Sequence, residues 1–514
     1  MATVARRGGP GIKFRPRPDA GGVKRKSWLQ RPLLYVGILL LVVVVVLVAV
    51  TVIQTAPVPQ KLKYGVVLDA GSSHTALFIY HWPAEKMNDT GLVEQLGSCS
   101  VKGPGISSYW SEVERAGPSL QACLDKAMET IPAQQHTETP VYLGATAGLR
   151  LLRLQNRIQA EKLLHAVEQF IHTYPFDFQG ARIISGLDEG AFGWITINYL
   201  MGILQQDTAG EPDTLGALDL GGGSTQITFV PDREVQAPQN AMHFRLYGRD
   251  YNMYTHSFLC YGKDQALKML LQNLMVPDQG TIRNPCFNLG YEKSINVSDF
   301  FNSPCTPGMA RSRNQTLRVV GTGDSRQCRL HVRALFNHST CSWTNCSFNG
   351  IYQPPVWGNF GAFSAYYFVT AFFNKGQQRQ SLSELKEAVE KFCNLSWAQA
   401  KAIYKIKERY LSENCFSGHY VLALLISGYN FSAATWDSIQ FIKKIKGSDA
   451  GWTLGYMLNL TNMIPAEGRP PKPLSPTSFL SILVVFSIAA LLLLLAVFLL
   501  AYRRISRERQ MLLT

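Results

Sequence analysis

The sequence has no Cys-x-x-Cys motif, so the usual ligand spacing of a structural zinc site is missing. Charge is absent from two long stretches, Leu33–Ile53 and Phe479–Tyr502. Each exceeds the roughly 20 residues that cross a bilayer as a helix, and uncharged runs of this length exclude ordinary buried core helices. A net charge of +14 invites a nucleic-acid reading, but little of that charge lies between the two runs. Residues 1–31 hold nine Lys/Arg against Asp19, and residues 503–514 hold four Arg against Glu508, which leaves only +3 in between. No nucleic-acid partner is therefore expected. The basic charge abuts the apolar runs, as the positive-inside rule expects of cytoplasmic ends. The first run has a long basic flank and no convincing small-residue cleavage site, which predicts an uncleaved span. Neither run carries a strong Gly-x-x-x-Gly pairing signal.

The segment between the runs has the marks of an oxidising compartment. All ten cysteines lie there: Cys99, Cys123, Cys260, Cys286, Cys305, Cys328, Cys341, Cys346, Cys393 and Cys415. Cys341 with Cys346 would close a small loop and Cys393 with Cys415 a larger one, but spacing alone leaves the pairing open. Eight Asn-x-Ser/Thr acceptors also lie there, at Asn88, Asn296, Asn314, Asn337, Asn345, Asn394, Asn430 and Asn459. The chain therefore reads as a two-span membrane protein with both termini cytoplasmic and about 420 residues in one extracellular or lumenal domain. Its expected order is a basic tail over 1–31, a transmembrane helix over 32–54 and an ectodomain from 55 to 470. A linker over 471–477, a transmembrane helix over 478–502 and a cytoplasmic tail over 503–514 follow. Pro57-Val58-Pro59 and the Pro-rich stretch 465–477 read as extended spacers.

Inside the ectodomain, strand-length apolar runs alternate with helical patterns, as in an α/β domain. Residues 64–80 read as a β-hairpin and 140–146 as a strand ending in a small-residue turn. Residues 160–174 read as a helix, 181–186 as a strand and 191–201 as an apolar helix. With six cysteines and four acceptors, 260–350 looks like a loop-rich disulfide insertion. Residues 382–391 and 397–411 look helical, and 447–455 turns into a helix.

Two glycine-rich turns carry the chemistry: Asp69-Ala70-Gly71-Ser72-Ser73-His74-Thr75 and Asp219-Leu220-Gly221-Gly222-Gly223-Ser224-Thr225-Gln226. Each follows a short apolar run and leads into a second β-rich run. Glycine lets backbone approach a ligand closely, and successive N–H groups in such a turn form an anion nest. A carboxylate at the mouth of the nest suits a divalent cation that also binds phosphate oxygens. One such turn is most often only a hairpin. Two in matching contexts, about 150 residues apart, point to duplicated lobes gripping a polyphosphate.

These turns, together with Gly144-Ala145-Thr146-Ala147-Gly148-Leu149-Arg150, Ser185-Gly186-Leu187-Asp188-Glu189-Gly190 and Asp449-Ala450-Gly451-Trp452-Thr453-Leu454-Gly455-Tyr456, resemble the five apyrase conserved regions in order. The chain is thereby identified as similar to the ecto-nucleoside triphosphate diphosphohydrolase (ecto-apyrase) family. Residues 254–262 and 458–462 look most like its type 1, cell-surface branch. The resemblance implies two RNase H-like lobes of the actin/Hsp70/sugar-kinase superfold, flanked by two transmembrane helices. Lobe I would cover 55–185 with a C-terminal return at 446–470, and lobe II 186–445. It implies hydrolysis of extracellular ATP, ADP, UTP and UDP to the monophosphate and inorganic phosphate, with Ca²⁺ or Mg²⁺. Glu189 would be the catalytic base, with Ser224, Gln226 and Thr146 around the attacking water. Asp69 and Asp219 would hold the metal. Gly71, Ser72, Ser73, His74 and Thr75, with Gly221, Gly222 and Gly223, would cradle the phosphates. Tyr366 and Tyr410 would clamp the base, which, stacked between ring faces, would be read loosely. The implied disulfides are Cys99–Cys123, Cys260–Cys305, Cys286–Cys328, Cys341–Cys346 and Cys393–Cys415. Partners would be nucleotides, the lipid bilayer and further copies joined through the transmembrane helices.

Plainer readings stand beside these. Asp69 or Asp219 alone would be a turn cap, Glu189 an acid favoured by a helix dipole, Tyr366 a core residue, and Trp452 a packing residue. A sugar kinase or chaperone of the same superfold needs cytosolic ATP, which an outside-facing domain does not meet. A non-catalytic nucleotide-binding or adhesion ectodomain would have no need of Glu189. The chain departs from the family pattern at Leu187-Asp188, which stands where Gln-Glu is usual, at Gly223, which replaces Ala, in a shortened 202–214, and in a long N-terminus without cysteine.

Overall fold

The computed structural model describes residues 30–55, 61–206, 213–276, 279–308, 315–374, 380–467 and 474–511. The basic tail over 1–29, Pro57–Pro59, Asn314, residues 207–212 of the shortened segment and residues 471–473 of the linker lie outside them. The described residues fall into two units, the terminal helices and the ectodomain from Gln60 to Gly468. In the first unit, helix α1 (Gln30–Thr55) lies beside its C-terminal counterpart, and Gln54 Nε2 donates to the Leu474 carbonyl at 3.0 Å. Both helices are long and apolar enough to cross a membrane.

In the ectodomain, β1 (Leu62–Ala70) pairs antiparallel with β2 (Thr75–Pro83), closing the hairpin read from the sequence, and β3 (Glu94–Ser100) extends it. Helix α2 (Gln121–Thr130) follows, then β4 (Pro140–Ala145), α3 (Ala147–Gln155), α4 (Arg157–Ile171) and β5 (Asp177–Ile183). The sheet order is β3-β2-β1-β4-β5, with β4 and β5 joining in parallel. Helix α5 (Gly186–Leu200) then leads to β6 (Gly216–Leu220), β7 (Ser224–Phe229), β8 (Ala241–Leu246) and β9 (Arg249–Leu259). The second sheet runs β14-β13-β6-β7-β9-β8, taking in β13 (Phe360–Ser364) and β14 (Ile439–Phe441). In both sheets a central strand pairs antiparallel with the next strand across a glycine turn and parallel on its other edge. The molecule is thus an α/β protein of two RNase H-like halves, and the two turns emerge at equivalent places.

The disulfide region holds more order than its sequence announces. Helix α6 (Lys263–Asn273) opens it, and β10 (Thr281–Asn284), β11 (Glu292–Asn296) and β12 (Thr316–Gly321) form a sheet with α7 (Val297–Phe300) and α8 (Ser325–Arg333). Its strands are only four to six residues long, too short to show clear alternation. All five cysteine pairs implied by the resemblance are bonded. Helices α9 (Ala365–Asn374) and α10 (Leu382–Cys393) follow. The single helix expected over 397–411 is two, α11 (Trp397–Ile403) and α12 (Glu408–Ala423). Tyr404 packs against Phe372 and Phe392 at the break, and that burial outweighs helix continuity. Helix α13 (Trp452–Met463) returns to pack on α5, and α14 (Pro476–Met511) ends the described chain.

Candidate active site

Period two along β7 puts Ser224, Gln226 and Thr228 on one face, and cross-strand pairing sets Ser257 opposite Gln226 and Thr255 opposite Thr228. Helix α5 lies on that face. Ser185 caps it, accepting from the Asp188 N–H at 3.0 Å, while its hydroxyl donates to the Asp188 carboxylate at 2.7 Å. Asp188, one of the departures from the family pattern, is thus spent on the cap. The next residue, Glu189, turns inward and is 7% exposed. The helix reaches the sheet through glycines. A Cβ on Gly190 would come within 2.6 Å of Thr228 Oγ1, and one on Gly186 within 2.3 Å of Ser257 Cβ.

Glu189 Oε2 accepts from Gln226 Nε2 at 2.9 Å and from Arg150 Nη2. The same Gln226 nitrogen lies 2.8 Å from Ser224 Oγ, and Arg150 Nη2 lies 3.2 Å from it. Arg150 projects from α3, whose N-cap is Thr146, 5% exposed at the end of β4. Asp69 and Asp219 stand near the ends of β1 and β6; Asp219 is buried, and Asp69 is half-buried with its Oδ1 enclosed. Burial pushes Asp69 up to about 8, with the charges of Glu189 and Asp219 adding to it and the Trp452 side chain opposing. Glu189 is pushed up to about 7, mainly by burial, with Arg150 opposing and Asp219 adding. Asp219 rises to about 6 by burial, moderated by a hydrogen bond with Ser364. Ser364 ends β13 at φ 57°, a left-handed conformation uncommon for a serine.

The two turns face each other. A Cβ on Gly222 would lie 2.9 Å from Ser72 Oγ, and one on Gly223 would lie 2.8 Å from Ala147 Cβ, so glycine suits the second departure from the family pattern. Gly71 is tucked against the His74 carbonyl, and a Cβ there would lie 2.7 Å from that oxygen. Ser73 Oγ and His74 Nδ1 are 3.2 Å apart, and the His74 side chain is exposed. Thr75 is fully buried, and its hydroxyl has no protein partner.

This places Asp69, Thr146, Glu189, Asp219, Ser224 and Gln226 around one cleft beside both glycine turns. Tyr366 is a correction. It is fully buried, with its hydroxyl 3.3 Å from Thr225 Oγ1, in a cluster where Tyr429 also meets Thr225, so neither ring face is open to a base. Tyr410 is 54% exposed on the first turn of α12. One turn further, Glu413 binds Lys263 at 2.8 Å, and the Lys263 N–H donates to the Gly221 carbonyl at 2.9 Å, which ties this helix to the second turn. Trp452 is buried, and a Cβ on Gly144 would lie 2.3 Å from its ring. Asp449 meets Gln95 at 2.9 Å and serves to dock the C-terminal return. Arg150, Ser257 and Ser364 were not singled out from the sequence. The first two lie inside quoted motifs, but only the fold shows that they converge on Glu189.

The cleft fits a hard divalent cation. Asp69 Oδ1 is enclosed with no hydrogen-bond partner among the described residues, and the two aspartates beside the turns have pKa values raised mainly by desolvation, which a bound cation would relieve.

The sequence matches the GDA1/CD39 (nucleoside phosphatase) family over residues 55–476. It is 51% identical over 470 residues to ectonucleoside triphosphate diphosphohydrolase 1 of Mus musculus, covering 89% of this chain and 92% of that protein. Identity is 47% to type 8 of Mus musculus, covering 85% of this chain and 90% of that one, and 47% to type 2 of Gallus gallus, covering 80% and 85%. A crystal structure of nucleoside triphosphate hydrolases from Neospora caninum superposes with a TM-score of 0.59 at 18% identity, covering 82% of this chain and 96% of that one, and shares the fold.

Proposed function

We propose, from the premise that this chain belongs to the GDA1/CD39 nucleoside phosphatase family, that Glu189 is the base of a nucleotide hydrolysis run between the two glycine turns. The chain is a divalent-cation-dependent nucleotide hydrolase of the ectonucleoside triphosphate diphosphohydrolase class, most similar to the type 1 branch. Its substrates in this reading are extracellular ATP, ADP, UTP and UDP, cut stepwise to the monophosphate.

The observation that carries the reading is the Glu189 carboxylate. One oxygen is fixed by Arg150 and Gln226, and the group is poised near neutrality in a buried cleft with two further carboxylates. Phosphoryl transfer needs positioning, charge neutralisation and an in-line nucleophile. The backbones of 71–75 and 221–223 hold the phosphate chain, with the Ser72, Ser73, His74 and Thr75 side chains around it. Glu189 takes the proton of the attacking water, and Ser224, Gln226 and Thr146 orient that water. Its oxygen bonds to the terminal phosphorus as the bridging P–O bond breaks, and the shortened nucleotide leaves. Asp69 and Asp219 would hold Ca²⁺ or Mg²⁺, which when bound spreads the phosphate charge. Tyr410 stacks on the base, and a ring face alone distinguishes bases poorly.

The termini face the cytoplasm, the two apolar helices span the plasma membrane and carry homo-oligomer contacts, and the eight Asn-x-Ser/Thr acceptors carry glycans outside. The test is phosphate release by intact expressing cells given ATP or ADP, with and without chelator. Wild type releases phosphate from both only with metal, and Glu189→Ala at equal surface level falls by at least about 10². Nucleotide binding without phosphate release in wild type would instead establish the non-catalytic ectodomain.

A further inference from the structure

Glu189 does not fix its own partners, because Gln226 and Arg150 both need something behind them. That place is filled by Ser257 on β9. Its Oγ accepts from Gln226 Nε2 at 2.9 Å and from Arg150 Nη1 at 3.3 Å. These are the two side chains that converge on Glu189 Oε2. Ser257 is the cross-strand partner of Gln226, so the contact follows from the register of β7 and β9 and not from a mobile loop. Gly186 lets it approach. Any side chain there would meet Ser257 Oγ and Arg150 Nη1, both 2.4 Å from the Cβ position.

We infer that Ser257 is a positioning residue for the hydrolytic water: its hydroxyl ties the Gln226 amide and the Arg150 guanidinium into one rigid frame that aims the Glu189 carboxylate. It acts through Gln226 and Arg150, and it sits 33 residues beyond Ser224 in the sequence. The two amide hydrogens of Gln226 are shared among Glu189, Ser224 and Ser257, so without Ser257 they fall to the other two, and amide and guanidinium lose their common acceptor. An error of about 1 Å in a reacting group is enough to cost catalysis far more than binding.

The inference rests on Glu189 being the base, and the experiment separates the two claims. Full-length wild type, Ser257→Ala, Gln226→Ala, the double variant and Glu189→Ala are compared in membranes, with kcat expressed per molecule. Ser257→Ala should lower kcat about tenfold with KM for ATP and ADP unchanged, the size expected when one hydroxyl and the two modest hydrogen bonds it accepts are lost. In the Gln226→Ala background the same change should cost less than about twofold, because the frame is already broken. Thr255→Ala is the control for mere sheet damage. Its hydroxyl meets Thr228 at 2.8 Å and donates to the Leu187 carbonyl at 3.4 Å, but touches none of the Gln226, Arg150 and Glu189 side chains, so it should lower thermal stability and leave kcat per molecule intact. Full kcat in Ser257→Ala beside an inactive Glu189→Ala overturns the role of Ser257 alone, and so does a loss that multiplies fully in the double variant. An active Glu189→Ala overturns the base assignment beneath it.

Discussion

Three carboxyls and one guanidinium share the site, and their balance sets the pH at which Glu189, as the proposed base, would work. Glu189 must be ionised to accept a proton. Burial holds its carboxyl up at about 7, the charge of Asp219 adds to that, and Arg150 pulls it down. Replacing Arg150 with Gln removes the charge that opposes this rise, so Glu189 is protonated over a wider range of pH. Turnover of Arg150→Gln should fall by about 10² at pH 7 and recover on the alkaline side, with the acidic limb of the kcat profile displaced upward. A loss of rate with the limb unmoved would show that Arg150 acts on something other than Glu189. Asp69 and Asp219 were legible in the sequence because each opens a glycine-marked turn, whereas Glu189 was reached through the family resemblance. Arg150 and Ser257 were not legible, since their partners lie 39 and 31 residues away and are chosen by register and helix crossing. Tyr366 failed for the opposite reason. An aromatic beside a strand end reads the same whether it faces the cleft or, as here, the core.

At the scale of elements, glycines decide how near the helices come. Helix α13 crosses α5 so closely that a Cβ on Gly455 would lie 2.0 Å from the Phe192 carbonyl oxygen, and the Gly455 N–H donates to Thr196 Oγ1 at 2.8 Å. Alanine is favoured over glycine within a helix by about 1 kcal/mol. Here the neighbour is backbone and cannot rotate away, so overpacking should win by about 1–3 kcal/mol. Gly455→Ala is therefore expected to lower the Tm of the ectodomain, read by calorimetry, and a rise would mean that the two helices slide apart freely. Both hairpins were readable from their alternation and turns. The break between α11 and α12 was not, because no Pro or Gly marks it: the chain leaves the helix to bury Tyr404 between Phe372 and Phe392. The short strands β10, β11 and β12 escaped for lack of length.

Across the whole molecule, each half brings one glycine turn and one aspartate to the site, so closing the fold concentrates acidic groups that Arg150 offsets only in part among the described residues. Asp69, Glu189 and Asp219 are raised to about 8, 7 and 6. In the unfolded chain such groups titrate near 4, so between about pH 4 and 8 the folded state holds more protons. Their stabilising contribution is therefore fully present below about 4 and is lost as pH rises through 6 to 8. A cation bound only by the folded state replaces those protons and stabilises by mass action. Its effect must then grow with pH. Saturating Ca²⁺ or Mg²⁺ should raise the Tm of the ectodomain more at pH 8 than at pH 5.5. Asp69→Asn removes the most strongly raised carboxyl and half of the aspartate pair. It should shrink the cation increment at pH 8 and flatten the pH dependence of the cation-free Tm relative to wild type. An increment that does not change between the two pH values, or that survives intact in Asp69→Asn, would place the cation away from the cleft between the lobes.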